Sequence, residues 1–302
     1  MSDVNKKRTL KETIGRRLVY LLTAISPTLS SKVIYRLHTK KKLNLVNPTL
    51  FNEKLMYLKL HDYKNNQLVI DCSDKIKVRE YLKSYDLDNL LTEIYGIYDD
   101  AKLIDFSKLP KKFALKCNHG CGYNIICVDK KKLDINDSVK RLNKWKNTTF
   151  GYETCEPHYF KIKPLIYAEE YIATSDGIMP NDYKIYCFNG VPKIILVCSE
   201  RESGLKLTFF DLDWHELDYV TDKYKSSKKI KKPKKLDEMI KYATKLSQPF
   251  KFVRVDFYEN NEGRVIFGEL TFTPARCSAE YYNEKGNKEL GELLDLKKQN
   301  EN

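Results

Sequence analysis

Three residues near the C-terminus pose the first chemical question. In FKFVRVDFYENNEGRVIFGELTFTP, residues 250–274, two apolar runs flank an NNEG turn, and each carries one carboxylate, Asp256 or Glu269. Across a hairpin the two could face each other. Carboxylates that face each other in an apolar setting repel unless something bridges them, and a divalent cation does that. Arg254 has the parity of Asp256, so the two side chains share a sheet face. An arginine and two acids on one face suit a metal-and-phosphate site. The apolar flanks favour that over a pair of solvated surface acids.

A second candidate is FALKCNHGCGYNIICV, residues 113–128. A strand-like run ends in Lys116, passes through a turn with Asn118, His119, Gly120 and Gly122, and re-enters a strand-like run. Backbone amides in such a turn can approach phosphate oxygens, and the lysine neutralises them. It is not the P-loop, because no GK[ST] opens a helix. Taken alone, a structural hairpin with a stray lysine fits as well. In NDYKIYCFNGVPKIILVCSER, residues 181–201, Asp182 and Lys184 share one strand face and the return strand ends at Glu200 and Arg201. LIYAEEYI, residues 165–172, is a strand whose end bears Glu169 and Glu170. Alone, each of these is a strand or hairpin with charged ends.

These side chains need elements to hold them. Strand-like runs occur at 113–117, 124–128, 165–172, 184–188, 193–198, 207–210, 252–258 and 265–272, several of them divided by the turn signals NHGCG, NGVP and NNEG. Helical periodicity marks 135–145 and 236–246, and Ser73 is a plausible N-cap for a helix over 74–83. A loop and then a helix fit 47–63. Hairpins of adjacent strands with helices interspersed predict an α+β protein with mostly antiparallel sheets. From Thr9 to Leu37 the pattern gives two helices, with Pro27 stopping the first. Leu10, Ile14, Leu18, Leu21, Leu22 and Ile25 recur at helical spacing, with Lys and Arg on the opposite face. Two readings stay open for this arm: a packing element with a solvated basic face, or docking to an anionic membrane surface.

At 302 residues the chain is long enough for a sizeable core, in one large or two coupled domains. Its 12% aromatic content, with 21 Tyr, argues against a disordered or fibrous chain. The net charge of +13 tempts one towards nucleic acid, so its location matters. Residues 1–42 hold eleven basic residues and two acids, a surplus of nine, and residues 223–235 hold eight Lys and no acid. The remainder is therefore acidic by four. A nucleic-acid binder would spread positive charge along a groove of its core, so that class is disfavoured. The lysine run, with Ser226, Ser227 and Pro233, reads as a mobile loop. The eight Cys sit in a long chain that lacks a cleavable signal peptide, which favours reduced cytoplasmic thiols over disulfides. Cys117 and Cys121 flank His119, but no second pair at ligand spacing follows, and zinc is not favoured. The apolar run from Leu18 to Ile25 is too short to span a bilayer.

The order of the elements raises the signal above its parts. The chain resembles the ATP-grasp superfamily and, within it, the TupA-like ATP-grasp family associated with capsular, teichuronopeptide and other surface-polysaccharide biosynthesis. FNEKLMYLKL, SDKIKVREYL, LKCNHGCGYN, AEEYI, DYKIYCFNGVPK, VRVDFY and GELTFTP bear the resemblance, from about Phe51 to Leu296, and the last two are the most specific. It implies an ATP-grasp fold, in which two α+β subdomains with mostly antiparallel sheets grip ATP. The implied division is a helical basic region at 1–60 and an ATP-grasp domain at 61–302. Within the latter, about 75–172 would be the nucleotide clamp and 173–302 the metal, phosphate and substrate part.

The resemblance also implies roles. Lys75 and Lys116 match the two phosphate-contacting lysines, and the turn from Asn118 through His119 and Gly120 to Gly122 matches the flexible loop over the phosphates. Glu169, Glu170, Tyr171 and Ile172 match the hinge whose backbone pairs with adenine, and Asp176 sits where an acid often holds the ribose. Asp182 is grouped with the nucleotide-binding residues. Lys184 and Arg201 match strands that face the phosphates and the acyl phosphate. Arg254 would stabilise the transferring phosphoryl group, and Asp256 and Glu269 would hold magnesium ions. Many ATP-grasp enzymes have Asn where Thr271 stands here, and a hydroxyl is a weaker magnesium ligand than an amide carbonyl.

The implied activity is ATP-dependent carboxylate–amine ligation through an acyl phosphate. No Ser/His/Asp or Cys/His nucleophile stands out, and this chemistry needs none. The implied partners are a sugar carboxylate, such as a uronic acid that is nucleotide-linked, lipid-linked or polymeric, and an amine or amino acid. The place is cytoplasmic, with peripheral contact to an anionic membrane or polymer through 1–42 and 223–235 as a further expectation. A glycosyltransferase of the same pathways is the alternative; the paired lysines with a hinge downstream argue against it. A membrane-surface scaffold with a vestigial ATP site is disfavoured by the intact Lys/Arg/Asp/Glu set.

Overall fold

The computed structural model describes residues 9–172, 181–199, 205–260 and 262–298. Its architecture is α+β with antiparallel sheets, as the hairpin-rich sequence implied. The helices are α1 (Leu10–Ile25), α2 (Pro27–Thr39), α3 (Phe51–His61), α4 (Gln67–Ser73), α5 (Val78–Lys83), α6 (Ile135–Lys146), α7 (Phe150–Thr154), α8 (Leu236–Ser247) and α9 (Glu284–Glu292). The strands are β1 (Ile94–Tyr98), β2 (Phe113–Cys117), β3 (Asn124–Cys127), β4 (Ile166–Glu170), β5 (Asp182–Phe188), β6 (Val191–Ser199), β7 (Lys206–Phe210), β8 (Glu216–Leu217), β9 (Phe252–Glu259) and β10 (Val265–Thr271). They form a four-stranded sheet in the order β1-β4-β2-β3 and a six-stranded sheet in the order β10-β9-β5-β6-β7-β8.

Each sheet has its own apolar core. The larger core joins the six-stranded sheet to α3, α8 and α9. Phe51, at the start of α3, is fully buried, with ring contacts to Tyr186, Phe188, Phe252 and Tyr282 at 5.1–6.1 Å. Burying such a ring is worth roughly 1.5–3 kcal/mol. Glu53 of the same helix is buried but occupied: its carboxylate accepts from the backbone N–H groups of Asn44, Thr49 and Leu50. The smaller core lies between the four-stranded sheet and α6, through Phe113, Leu115, Leu142 and Trp145.

Two local expectations need correcting. Ser73 caps no following helix. It is the last residue of α4, its hydroxyl donating to the Val69 carbonyl at 2.7 Å, and the next helix starts only at Val78. Asp74 explains the gap, because its Oδ1 accepts from the N–H groups of Ile76 and Lys77 and holds a turn there.

The second correction concerns α1. Its helix begins at a reciprocal Thr9–Glu12 cap, and α2 begins at Ser26 with Pro27 in the first turn, as the sequence indicated. Yet the apolar stripe is not the packing face. α1 packs on α7 and α2 through Arg16, paired with Glu153 at 2.9 Å, through Tyr20, whose ring lies 5.5 Å from Tyr152, and through Thr23, whose hydroxyl donates to Ser30 at 2.9 Å. Ile14, Leu18, Leu21 and Ile25 are exposed.

Candidate functional site

The six-stranded sheet presents one face to a cleft, and register decides what stands there. Lys184 on β5 pairs with Asp256 on β9, and Asp256 pairs with Glu269 on β10. The last pairing depends on a bulge. Ile266 and Phe267 sit opposite Tyr258 and Phe257, but the register then slips by one residue at Gly268, so that Glu269 rather than Gly268 meets Asp256. A bulge inserts one unpaired residue and re-aims its neighbours. A Cβ on Gly268 would lie 3.0 Å from both the Asp256 carbonyl oxygen and the Tyr258 ring, so glycine lets the strands approach there.

The side chains on this face form one charged network. Asp256 is buried, and Arg254 grips it from Nε to Oδ1 at 2.7 Å and from Nη2 to Oδ2 at 2.6 Å. Lys184 Nζ bridges Asp256 and Asp182, at 2.5 Å to each. Arg254 Nη2 also donates to Thr271 Oγ1 at 3.0 Å and reaches Glu269 at 3.5 Å. The geometry also shifts how readily these groups ionise. Burial pushes the Asp256 carboxyl up from its ordinary value, with Arg254 and Lys184 pulling against it. Against the same burial, Lys75, Arg254 and Lys184 bring the Glu269 carboxyl down to about 2. Burial also disfavours the Lys184 ammonium, with Arg254 adding to it, and Asp182 and Asp256 more than restore its charge.

Lys75 arrives from the other side. The turn after α4 donates Lys75 N–H to the Asn118 carbonyl at 3.1 Å. Its Nζ donates to the Gly120 carbonyl at 2.9 Å and lies 3.4 Å from Glu269. On the four-stranded sheet, Lys116 of β2 is ion-paired with Glu169 of β4, and Glu169 accepts from Thr92 Oγ1 at 2.8 Å. Two cavities run through this region. One, of about 100 Å³, is lined by Lys75, Arg79, Lys116, Glu169, Ile172 and Gly268 among others. The other, of about 370 Å³, is lined on its floor by Asp182, Lys184, Arg254, Asp256 and Thr271. They share a wall of Gly120, Cys121, Gly122, Tyr123, Tyr258 and Glu269.

Of the residues singled out in the sequence, Lys75, Lys116, Gly120, Gly122, Glu169, Ile172, Asp182, Lys184, Arg254, Asp256, Glu269 and Thr271 thus line these joined cavities. Others stand aside. Asn118 is fully buried; its amide donates to Asp74 and to the Lys163 carbonyl, and its Oδ1 accepts from Leu165 N–H, so it clamps the turn. His119 is buried against the Thr148 carbonyl at 3.2 Å, and burial pushes its pKa down, keeping the ring neutral. Glu170 ends β4, its N–H donating to the Glu93 carbonyl, and Tyr171 follows the strand. Asp176 and Arg201 lie outside the described residues.

Arg79, within SDKIKVREYL, carries no chemical signal of its own in the sequence, yet it lines the smaller cavity and its Nη2 donates to the Thr92 carbonyl at 2.6 Å. The same holds for Arg16, Glu156 and Arg276, which line the larger cavity. Each comes from a segment that gave no chemical signal alone; only the fold brings them to one wall. All eight cysteines are free thiols, and Cys117 is buried against α6 while Cys121 faces the cavities.

The donors suit a divalent cation. Asp256, Glu269 and Thr271 offer only hard oxygen atoms, and the two carboxylates are register partners on adjacent strands. Within the ion-paired network four acids, Asp182, Asp256, Glu169 and Glu269, meet four cations, Lys75, Lys116, Lys184 and Arg254, and the cavity walls add Arg79, Arg16 and Arg276 against Glu156.

The family model described as TupA-like ATPgrasp matches residues 53–295. Among solved structures, the fold is similar to the D-alanine–D-alanine ligase from Coxiella burnetii, at 12% identity over 81% of this chain and 64% of that one, TM-score 0.44. It is similar to the ADP complex of purK, N5-carboxyaminoimidazole ribonucleotide synthetase, at 11% identity over 78% and 52%, TM-score 0.46. It is also similar to the ATP-grasp ligase PsnB complexed with minimal precursor, at 12% identity over 78% and 62%, TM-score 0.41. The chain spans less than two thirds of the length of these structures. No curated protein matches the chain.

Proposed function

Because the chain belongs to the TupA-like ATP-grasp family, we propose that it is an ATP-dependent carboxylate–amine ligase. Its acceptor is a uronic acid of a capsular or other surface polysaccharide, or of a precursor, and its co-substrate is an amine or amino acid. On this reading residues 61–302 are the ATP-grasp domain, with the nucleotide clamp at about 75–172 and the metal, phosphate and substrate part at 173–302, behind a helical basic region at 1–60. The protein works in the cytoplasm, where activated sugars are built.

One observation supports the reading above all. Lys75, Lys116, Lys184 and Arg254, from both sheets and the turn after α4, line joined cavities with the register-paired Asp256 and Glu269. Phosphoryl transfer asks for positioning and charge neutralisation rather than a nucleophilic side chain. In the first step an acceptor carboxylate oxygen attacks the γ-phosphorus, and the bond to the ADP oxygen breaks. In the second, the amine lone pair attacks the acyl carbon, the bond to phosphate breaks, and the nitrogen loses a proton; amide, ADP and phosphate result. Lys75 and Lys116 bind phosphate oxygens, and Gly120 and Gly122 allow the turn between them to approach. Lys184 and Arg254 stabilise the charge that spreads over the transferring group. Asp256, Glu269 and Thr271 would hold magnesium, which when bound offsets phosphate charge.

Purified protein with magnesium, ATP, a uronate panel and a pool of amines is expected to release ADP and phosphate. Glu269→Gln should cut that turnover by about 100-fold or more with the thermal midpoint kept, since a lost electrostatic contact to a transition state costs of that order. Undiminished turnover in this variant would sink the metal assignment.

A further inference from the structure

The apolar seam of α1 is turned away from the protein. Ile14, Leu18, Leu21 and Ile25 are 57%, 51%, 58% and 78% exposed. Their spacing of four, three and four residues confines them to an arc of roughly 60° on the helix. On α2, Leu29 and Leu37 are also exposed, at 45% and 60%, beside the exposed Lys32 and Arg36. Arg17 borders the seam on α1, and Lys40, Lys41 and Lys42 follow α2, all exposed. An apolar seam on α1, with exposed apolar and cationic residues on α2, that meets no partner among the described residues needs an occupant.

We propose that α1 and α2 form a docking surface for an anionic lipid bilayer, the seam entering the interface and the surrounding cations meeting the headgroups. Charge favours this occupant: residues 1–42 have a surplus of nine positive charges, which anionic lipid complements. A second copy of the chain is the competing occupant, since the spacing is also that of a coiled-coil seam. The seam covers only about two heptads, short of the three to four that sustain such a pairing, and a pair would bring two cationic arms together.

The other face of α1 gives the docking a purpose. Arg16 lies roughly 170° round the helix from the seam, paired with Glu153, and lines the larger cavity. The bilayer and the cavity wall are then separated by one helix, about 10–12 Å across. Resting on the ligase reading of that cavity, this assigns the acceptor to the lipid-linked class: a sugar carboxylate held at the membrane surface by its lipid.

The test is co-sedimentation of the full chain with vesicles of phosphatidylcholine mixed equally with phosphatidylglycerol, against vesicles of phosphatidylcholine alone. The protein is expected to pellet with the first and stay in the supernatant with the second. Leu18→Glu/Leu21→Glu, at two exposed positions, should lower the bound fraction about tenfold with an unchanged thermal midpoint. Arg17→Glu/Arg36→Glu should do the same on the anionic vesicles. Wild-type protein that stays in the supernatant, or a Leu18/Leu21 variant that pellets equally, overturns the proposal. So does a wild type that elutes as a dimer while that variant elutes as a monomer, since a second copy then covers the seam. ADP release, measured with soluble and with lipid-linked uronates, separates this from the ligase reading: turnover without vesicle binding ends the docking proposal alone, and vesicle binding without turnover on either uronate ends the ligase reading and the acceptor class with it but leaves the docking.

Discussion

At the scale of single residues, the cleft is built from side chains that already satisfy one another. Lys184 touches two carboxylates, and Arg254 touches Asp256 with two nitrogens. Removing one member of such a buried pair leaves an uncompensated charge and costs about 3–5 kcal/mol, which is why Glu269→Gln, at the rim of the network, is a cleaner probe than a change at Asp256. Cys121 offers a second probe. It alone among the eight cysteines is exposed, and it lines both cavities. Its thiol is pushed up by desolvation and by Glu269, so the reactive thiolate is scarce at neutral pH. Alkylation by iodoacetamide is therefore expected at Cys121 first, with a rate that still climbs as pH rises past the ordinary thiol range. ATP with magnesium should slow it severalfold. Peptide mapping checks both points, and labelling that starts at a buried cysteine or ignores nucleotide would argue that the turn lies elsewhere.

At the scale of elements, the turn between β2 and β3 makes the sharpest demand on sequence. Gly120 has φ +86°, and a Cβ there would lie 2.7 Å from the Phe150 ring. Gly120→Ala should cost about 1–2 kcal/mol and weaken ATP binding severalfold, read by denaturant midpoint and by calorimetry; a variant equal to wild type in both would show that the turn's shape is dispensable. The strands around this turn were legible because they are apolar, short and bounded by turn residues. β1 was not, because it is an edge strand with Gly96 at its middle, irregular pairing to β4 and no alternation of burial to read. The start of α5 was misplaced because a serine before an acid looks like a cap, whereas the acid itself was making the turn. For α1 the period was right and the face wrong: periodicity finds a stripe but does not say which side meets the protein, and here an ion pair, a ring contact and a hydroxyl pair chose the polar side. At the site, acids and cations in strand context could be found by type and parity, while Arg16, Glu156 and Arg276 became visible only when distant segments met.

At the scale of the whole molecule, the charge surplus divides less cleanly than the sequence implied. Most of it does stand apart from the cleft: Lys229, Lys231, Lys232 and Lys234 are exposed, Lys225 is paired with Asp218 and Asp222, and Lys235 with Glu238. Changing those four exposed lysines to Gln is expected to leave ATP affinity within about twofold, as screened charges distant from a site should, and to alter association with anionic surfaces or polymers. A large loss of nucleotide affinity by calorimetry would refute that separation. Arg16 is the exception, a cation of the N-terminal arm that belongs to the cavity wall. No described helix is long and apolar enough to cross a membrane. Against 302 residues, Gly268 is a small feature, but the hairpin keeps time by it. Inward and outward positions along β10 run in one phase before it and in the opposite phase after it. A ladder that took Gly268 in as the partner of Asp256, instead of bulging it out, would act as a frameshift in side-chain space. The ladder could still close, but Leu270 would face the cleft while Glu269 and Thr271 turned into the core, and the protein would keep its hairpin while losing an acid on which the proposed metal site depends.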